Sequence, residues 1–202
     1  PGVFSAGLDV PVLLTLERDA LNRFWPDFFG LLEDIAKAPV PVAAAMTGHS
    51  PAGGAVLSIC CDYRVAAEGD FKIGLNEVQV GLIVPPFLHG ILRHWVGARE
   101  AERMTVSGAL ISPSEALAMG LVDELASPDD VPERAVRWCS QMAALPRKPM
   151  LSTRRSARKP LFEAFEFVTD DLSEQMSAVF YAPDTQAELR AMVARLGSRR
   201  KS

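Results

Sequence analysis

The sequence predicts an α/β core over residues 1–130 and an all-helical region over residues 131–202. Short apolar runs bounded by turn-forming residues alternate with helix-periodic segments up to about residue 130. Beyond Pro128 the apolar positions recur only at helical spacing, which predicts helices without strands. A length of 202 residues is enough for one sizeable hydrophobic core with a helical appendage.

The first half of the chain predicts a compact β-α-β unit. Residues 15–37 are helix-periodic, and Pro26 is expected to kink this helix or to start a new one. The apolar run "APVPVAAAMTG" predicts a buried strand. A helix over residues 55–61 follows, and "DYRVAA" predicts the next strand. A strand, a turn, a helix and a strand in so few residues indicate a β-α-β unit.

Capping and helix-breaking residues predict the later elements. Ser112 is expected to cap a helix that has Pro113 at its first position and Gly120 after its end. The other predicted elements are strands in "FKIGLNEVQVGLIVP" and "LVDEL", a helix over residues 87–96, a helix in "REAERMTVSG" that stops at Gly108, and helices over residues 131–145, 149–159, 161–181 and 183–196.

Composition excludes several classes of function. The net charge of -4 provides no basic field for nucleic acid or for a membrane surface, so neither is expected as a partner. No apolar run reaches the roughly 18 residues of a membrane span, and no signal pattern is visible. The three cysteines have no metal-ligand spacing, which predicts free thiols in a reducing compartment and no metal site. The expected location is the cytoplasm, or an organelle matrix if a leader has been removed.

The first candidate site is the glycine pair Gly53–Gly54 in "GHSPAGGAVLSICCDYR", placed directly before an apolar helix. A helix N-terminus presents unpaired N–H groups and a partial positive charge, which attract developing negative charge. Glycine at that point allows a ligand to approach the backbone closely. The alternative is a tight strand-to-helix turn without a ligand.

The second candidate is Glu77 in "GLNEVQVGL", a carboxylate between Leu75 and Val78. Apolar surroundings raise the proton affinity of a carboxylate, which suits it to take a proton from carbon and to return it. The alternative is an exposed turn residue next to Asn76.

Other reactive residue types show no catalytic pattern. His49, His89 and His94 are scattered and are interpreted as structural, and no nucleophile elbow, phosphate loop or HExxH motif occurs. The basic segments over residues 154–159 and 199–201 are interpreted as solvated faces, with contact to a ligand phosphate as the alternative.

Four segments, taken in order, resemble the crotonase (enoyl-CoA hydratase/isomerase) superfamily. They are "FSAGLD", "SPAGGAVLSICCDYRVAA", "IGLNEVQVGL" and "VSGALISPSEALAMGLVDEL". Within this superfamily, the sequence of these segments is most similar to the mitochondrial-type Δ3,Δ2-enoyl-CoA isomerases. The resemblance implies a crotonase (ClpP-like) β-β-α spiral core with a C-terminal helical trimerisation region, and a homotrimer or hexamer. Family members carry further β-α units ahead of "FSAG", so we expect residues to be missing before Pro1.

The same resemblance implies roles for individual residues, with coenzyme A as part of the substrate and no separate cofactor. The implied site consists of the base Glu77, the oxyanion-hole N–H groups of Ala6 and Gly53, the substrate contacts Ser5, Gly54, Val56, Pro85 and Phe87, and the CoA phosphate contacts Arg199, Arg200 and Lys201.

The number of carboxylates distinguishes the reactions of this superfamily. A hydratase needs two carboxylates to orient water and to deliver a proton, and one of those positions is Val56 here. A single base such as Glu77 suffices to move a proton from C2 to C4 of a dienolate. The resemblance therefore implies an isomerase of fatty acid β-oxidation that shifts a 3-enoyl-CoA double bond to position 2. The alternatives are a hydratase or another acyl-CoA enzyme of the family, and a non-catalytic scaffold with this fold.

Overall fold

The computed structural model describes residues 2–199, with side chains up to residue 196. The strands are β1 Gly2–Val3, β2 Ala43–Met46, β3 Gly48–Pro51, β4 Tyr63–Ala67, β5 Ile73–Gly74 and β6 Glu124–Ala126. The α-helices are α1 Val10–Leu13, α2 Arg18–Ala36, α3 Gly53–Cys60, α4 Pro86–Ser107, α5 Pro113–Ala118, α6 Val131–Ala143, α7 Arg147–Ala157, α8 Lys159–Ala164, α9 Leu172–Phe180 and α10 Pro183–Arg199. Short 3₁₀ helices cover Glu77–Val80 and Phe165–Phe167.

The strands form two parallel three-stranded sheets with the orders β1-β3-β5 and β2-β4-β6. The predicted β-α-β unit is confirmed, because β2 and β4 pair in parallel on either side of α3, from Ala43 opposite Tyr63 to Met46 opposite Ala66. The sequence analysis missed β3, which follows β2 after one residue and belongs to the other sheet. Consecutive strands thus alternate between the two sheets, and α3 leaves from the end of β3.

Two predicted helix boundaries are wrong. Pro26 neither kinks nor restarts the first long helix, because α2 runs through it and buries the stripe Leu21, Trp25, Phe29 and Leu32. The single helix predicted over residues 161–181 is divided into α8, a 3₁₀ turn and α9. Between them Thr169 donates its hydroxyl hydrogen to the carboxylate of Asp171, a local bond that competes with helix formation.

The capping predictions for the middle of the chain are confirmed. Ser112 accepts a hydrogen bond from the N–H of Glu115, and the Glu115 carboxylate accepts from the N–H of Ser112, so the two form a capping box. Gly108 ends α4 in the left-handed conformation. Gly97, at a φ of 77°, interrupts α4 where the sequence predicts a break between two helices.

The helices after residue 130 share the main hydrophobic core with the α/β part. Leu161, Phe165, Met176 and Leu189 belong to the same buried cluster as the apolar residues of α2, α3 and α4. Helix α6 covers the sheet β2-β4-β6 instead. Every element described after β6 is helical, as the sequence predicts. The division of the chain into two domains at residue 130 stays a prediction, because the two parts share one core.

The three cysteines are free thiols, as the sequence predicts. Cys60 and Cys61 are buried at the end of α3. Burial raises the pKa of the Cys61 thiol to about 11 and raises that of Cys60 further still, so both are protonated at neutral pH.

A buried ion cluster joins the helical region to the core. Arg154 donates from Nε and Nη2 to the two carboxylate oxygens of Asp62, at 2.6 and 2.9 Å, and Nη1 of Arg158 lies 3.1 Å from Oδ1. All three side chains are almost fully buried. The interpretation of the segment 154–159 as a solvated or phosphate-binding face is therefore wrong for these two arginines, which have an internal partner.

Replacing Asp62 with alanine is expected to destabilise the fold strongly. The change leaves two buried guanidinium groups without their carboxylate, which typically costs about 3–5 kcal/mol. We expect a loss of this size in the free energy of unfolding measured with urea.

The control is Asp70→Ala, since the Asp70 side chain is exposed and its one ion pair, with Lys72, spans 3.6 Å. Exposed pairs contribute about 0–1 kcal/mol. Equal losses in the two variants would contradict the assignment of Asp62 as the anchor of the cluster.

Candidate active site

Three parallel strands deliver three chain segments to one sheet edge. Gly2 pairs with Gly48 in β1 and β3, and Pro51 pairs with Gly74 in β3 and β5. Because the strands are parallel, the segments that follow them leave from the same, carboxyl edge, where ligands bind in open α/β sheets. These segments are 4–8 after β1, 52–54 after β3 and 75–77 after β5.

The segments after β1 and β3 touch through their backbones. A Cβ atom added at Gly53 would lie 2.6 Å from the Cα of Gly7, and one at Gly54 would lie 2.2 Å from the carbonyl oxygen of Ser5. Neither distance is compatible with a side chain. The glycine pair is thus required by a close approach between two main-chain segments, whereas the sequence analysis gave a ligand or a tight turn as the reason for it.

The residue before the glycine pair has a strained backbone. Ala52 has a φ of 47° and is the one non-glycine residue with positive φ in the described part of the chain. Its N–H donates to Gly74 O at 2.8 Å, and its carbonyl accepts from Val56 N at 2.9 Å. None of the hydrogen bonds between described residues uses the N–H of Gly53.

A mostly apolar pocket of about 400 Å³ opens beside Gly53. Four residues on one face of α2 contribute to it, together with residues after β1 and in α3. The lining residues are Ser5, Gly7, Leu8, Phe24, Asp27, Phe28, Leu31, Gly53 and Leu57. Asp27 is the single charged side chain in this lining, and it is solvent-exposed.

The structure brings some predicted site residues to this pocket and places others elsewhere. Ser5 and Gly53 line the pocket, and Gly54 does not line it but packs against the main chain of Ser5. Ala6 is exposed and does not line the pocket.

Three further predicted substrate contacts are buried away from the pocket lining. Val56 and Phe87 belong to the hydrophobic core, where the Phe87 ring packs against Phe29 and Phe165. Pro85 is buried at the N-cap of α4.

Leu8 is a site residue that the sequence analysis missed. A Cβ atom at Gly53 would lie 3.6 Å from the Leu8 amide nitrogen, so the two N–H groups are neighbours. The Leu8 N–H also forms no hydrogen bond within the described residues. The signal in the sequence was Gly7, whose φ of 89° turns the chain just before Leu8.

Glu77 is half-buried at the start of the 3₁₀ helix, three residues beyond the end of β5. Its Oε2 atom is buried and has no hydrogen-bond partner. Burial raises the pKa of the Glu77 carboxyl to about 7, against a smaller lowering by its own backbone N–H. The alternative of a fully exposed turn residue is therefore wrong, although Glu77 does lie in a turn.

The predicted phosphate contacts are only partly within the structure. Arg200 and Lys201 lie outside the described residues, and Arg199 is described only as the last residue of α10. Among residues 2–199 there is no group of three or more His, Cys, Asp or Glu side chains placed to hold a metal ion. No helix in that range has the length and apolar character needed to cross a membrane.

Comparison with known proteins agrees with this geometry. The profile of the family "Enoyl-CoA hydratase/isomerase" matches residues 1–195. The chain belongs to this family. A crystal structure of human mitochondrial Δ3-Δ2-enoyl-CoA isomerase superposes with a TM-score of 0.91 at 30% identity, over 98% of this chain and 78% of that one. The crotonase fold predicted from the sequence is thus confirmed.

Two other members of the family show the range of related proteins. The mitochondrial enoyl-CoA delta isomerase 1 of Mus musculus is 36% identical over 160 residues, 79% of this chain. A crystal structure of a probable enoyl-CoA hydratase from Mycobacterium tuberculosis has a TM-score of 0.79 at 29% identity, over 86% of this chain and 73% of that one. The chain spans 55% of the length of the mouse protein.

Replacing Gly54 with alanine is expected to disturb the site and the fold together. The new methyl group would meet the Ser5 carbonyl oxygen at 2.2 Å. Overpacking of this kind costs about 1–3 kcal/mol, which we expect as a lower urea midpoint.

Gly30→Ala is the matched control, because Gly30 lies within α2 and a Cβ atom there has no neighbour within 4 Å. Alanine in a helix interior is favoured over glycine by about 1 kcal/mol, so this variant should be slightly more stable. A Gly54→Ala variant as stable as the parent would contradict the close approach described here.

Proposed function

We propose that the chain carries the catalytic site of a Δ3,Δ2-enoyl-CoA isomerase, which moves the double bond of a 3-enoyl-CoA to position 2. The observation that carries the proposal is Glu77: a half-buried carboxylate whose Oε2 atom has no hydrogen-bond partner, with a pKa of about 7, at the sheet edge that also carries Gly53. The similarity to isomerases supports the same reaction.

In this mechanism the thioester oxygen accepts hydrogen bonds from the N–H groups of Gly53 and Leu8. Leu8 replaces Ala6, the partner expected from the sequence, because Leu8 lines the pocket with Gly53 and Ala6 does not. The two donors stabilise the negative charge that develops on this oxygen as C2 loses a proton. Removing one such donor typically costs about 2.7–4 kcal/mol of transition-state stabilisation.

Glu77 would carry the proton. Its deprotonated carboxylate takes a proton from C2, the electrons spread over the dienolate, and the resulting carboxylic acid returns a proton to C4. No atom is gained or lost, so neither water nor a redox partner takes part. A base with a pKa near neutrality combines a usable fraction of the ionised form with adequate basicity, and a well-placed general base contributes roughly 10² to 10⁴ in rate.

Hydration is the second candidate activity, and Asp27 is the observation that favours it. This carboxylate lines the pocket that contains Gly53, whereas Glu77 is not part of that lining, so Asp27 is a carboxylate near the site in addition to Glu77. In a hydratase Asp27 would orient the attacking water while Glu77 delivers the proton to the substrate. Asp27→Asn would then abolish hydration of 2-enoyl-CoA. In an isomerase that uses Glu77 alone, the same variant would retain isomerisation.

The proposal extends to substrate class, assembly and location. The apolar side chains of Phe24, Phe28 and Leu31 suit the acyl chain of a fatty acyl-CoA in β-oxidation. Family membership supports oligomeric assembly, and we propose a homotrimer or hexamer. The mouse relative is named as mitochondrial, which favours an organelle matrix over the cytoplasm for this chain. If the chain were a non-catalytic scaffold, calorimetry with an acyl-CoA would detect no binding.

Glu77→Gln should abolish most of the isomerase activity. Glutamine keeps the size of the side chain but cannot accept the C2 proton, so kcat for a 3-enoyl-CoA should fall by about 10² or more. The control is Glu68→Gln, at an exposed glutamate near the end of β4. Activity of the Glu77 variant within about threefold of the parent would remove Glu77 from the mechanism.

The pH dependence should report the same carboxylate. Because the base must be ionised, kcat/KM should rise with pH through the Glu77 pKa of about 7 and then level off. An unperturbed glutamate would place this limb near pH 4.3. A profile already flat between pH 5 and 8, measured at constant ionic strength, would argue against a buried base.

A further inference from the structure

The turn that carries Glu77 is held by the last helix. Thr185, in the first turn of α10, donates its hydroxyl hydrogen to the carbonyl oxygen of Gly81 at 2.9 Å. The Thr185 side chain lies in a tight contact, since the residue is only 5% exposed and a Cβ atom at Gly81 would lie 3.1 Å from its Cα. No other described residue donates to the Gly81 carbonyl.

Gly81 is tied in turn to the backbone of Glu77. The N–H groups of Gly81 and Leu82 both donate to the Glu77 carbonyl oxygen, so Gly81 closes the 3₁₀ turn that Glu77 opens. On the opposite side Gln79 donates from Nε2 to the carbonyl of Gly108 at 2.8 Å. The turn is therefore fixed between the end of α4 and the start of α10.

We propose that Thr185 is a positioning residue for Glu77: its hydroxyl keeps the turn closed, and the closed turn keeps the carboxylate out of bulk water at the sheet edge that carries Gly53. This inference rests on the proposed function in assigning Glu77 as the base. Thr185 contacts Gly81, four residues after Glu77, and so acts through the turn and not on the reacting atoms.

The hydration of the carboxylate is the quantity that Thr185 controls. Without the hydroxyl, the Gly81 carbonyl lacks its donor inside a packed contact, and the turn must open to let water reach it. Water then reaches Glu77 as well, and its pKa falls towards the ordinary value, because burial is the main cause of the rise. The charged groups on adjoining turns, Glu102 and Arg103 in α4 and Asp184 and Glu188 in α10, are not among the causes of that shift.

The test compares Thr185→Val with Thr185→Ser. Valine matches threonine in shape and removes the hydroxyl, whereas serine keeps the donor. For Thr185→Val we expect kcat to fall about tenfold, part of the 10² to 10⁴ that a placed base contributes, with KM within twofold of the parent. The rising limb of the pH profile should move to lower pH. Thr185→Ser should match the parent within about twofold in kcat, with an unmoved limb.

A second readout does not depend on turnover. The Glu77 carboxyl is followed by ¹³C NMR titration and assigned by its loss in Glu77→Gln. Its pKa should be lower in Thr185→Val than in the parent or in Thr185→Ser. If the parent does not isomerise 3-enoyl-CoA, the proposed function fails, while this titration still decides whether Thr185 positions the carboxylate.

Two outcomes overturn the inference. One is a Thr185→Val protein with parental kcat and parental Glu77 pKa. The other is a loss of kcat with an unmoved pH limb and pKa, which would mark a purely structural contact. Circular dichroism and thermal unfolding establish that each variant is folded. If Thr185→Val does not fold, Thr185→Ala removes the hydroxyl without adding an atom and is subject to the same criteria.

Discussion

The main chains of two segments meet at Gly7 and Gly53, and the geometry of the site depends on this contact. It is possible only because both residues lack a side chain, since a Cβ atom at Gly7 would lie 2.7 Å from the nitrogen of Gly53. The contact sets the amide of Leu8 beside that of Gly53. The strained turn at Ala52 persists because a hydrogen bond to β5 and another to α3 fix it from both ends. Two neighbouring amide donors are thus held in place before any ligand arrives, which is the preorganisation that oxyanion stabilisation requires.

The buried arginines support the same arrangement from the far ends of its helices. Arg154 donates to the carbonyls of Ala36 and Ala38 at the end of α2, and Arg158 donates to those of Cys60 and Cys61 at the end of α3. Cations are favoured at helix C-termini, where the carbonyl groups lack partners. Since α2 lines the pocket and α3 begins at Gly53, the two arginines connect the helical region to the ends of both helices, and Asp62 pairs with both arginines.

Local sequence patterns predicted the parts of this structure that depend on residues close together in the sequence. The Ser112 capping box, the stop at Gly108 and the β-α-β unit could be inferred from a few adjacent positions, and Gly53 and Glu77 could be selected as candidate site residues in the same way. The sequence could not show that Gly54 faces Ser5, or that Asp62 pairs with Arg154, 92 residues later. Helical periodicity also could not predict that α2 continues through Pro26, because burial of Trp25 and Phe29 outweighs the missing hydrogen bond. Ala6, Val56 and Phe87, the predicted contacts that do not line the pocket, are positions whose orientation depends on tertiary packing.

The burial of Cys60 and Cys61 has a chemical consequence for an enzyme of this kind. A double bond conjugated to a thioester, as in the proposed product, is an electrophile that adds to thiolates. Both thiols are buried at the C-terminal end of α3 with raised pKa values, so neither presents the reactive anion at neutral pH. The same packing that forms the core would thereby shield these two thiols from alkylation by the product of the proposed reaction.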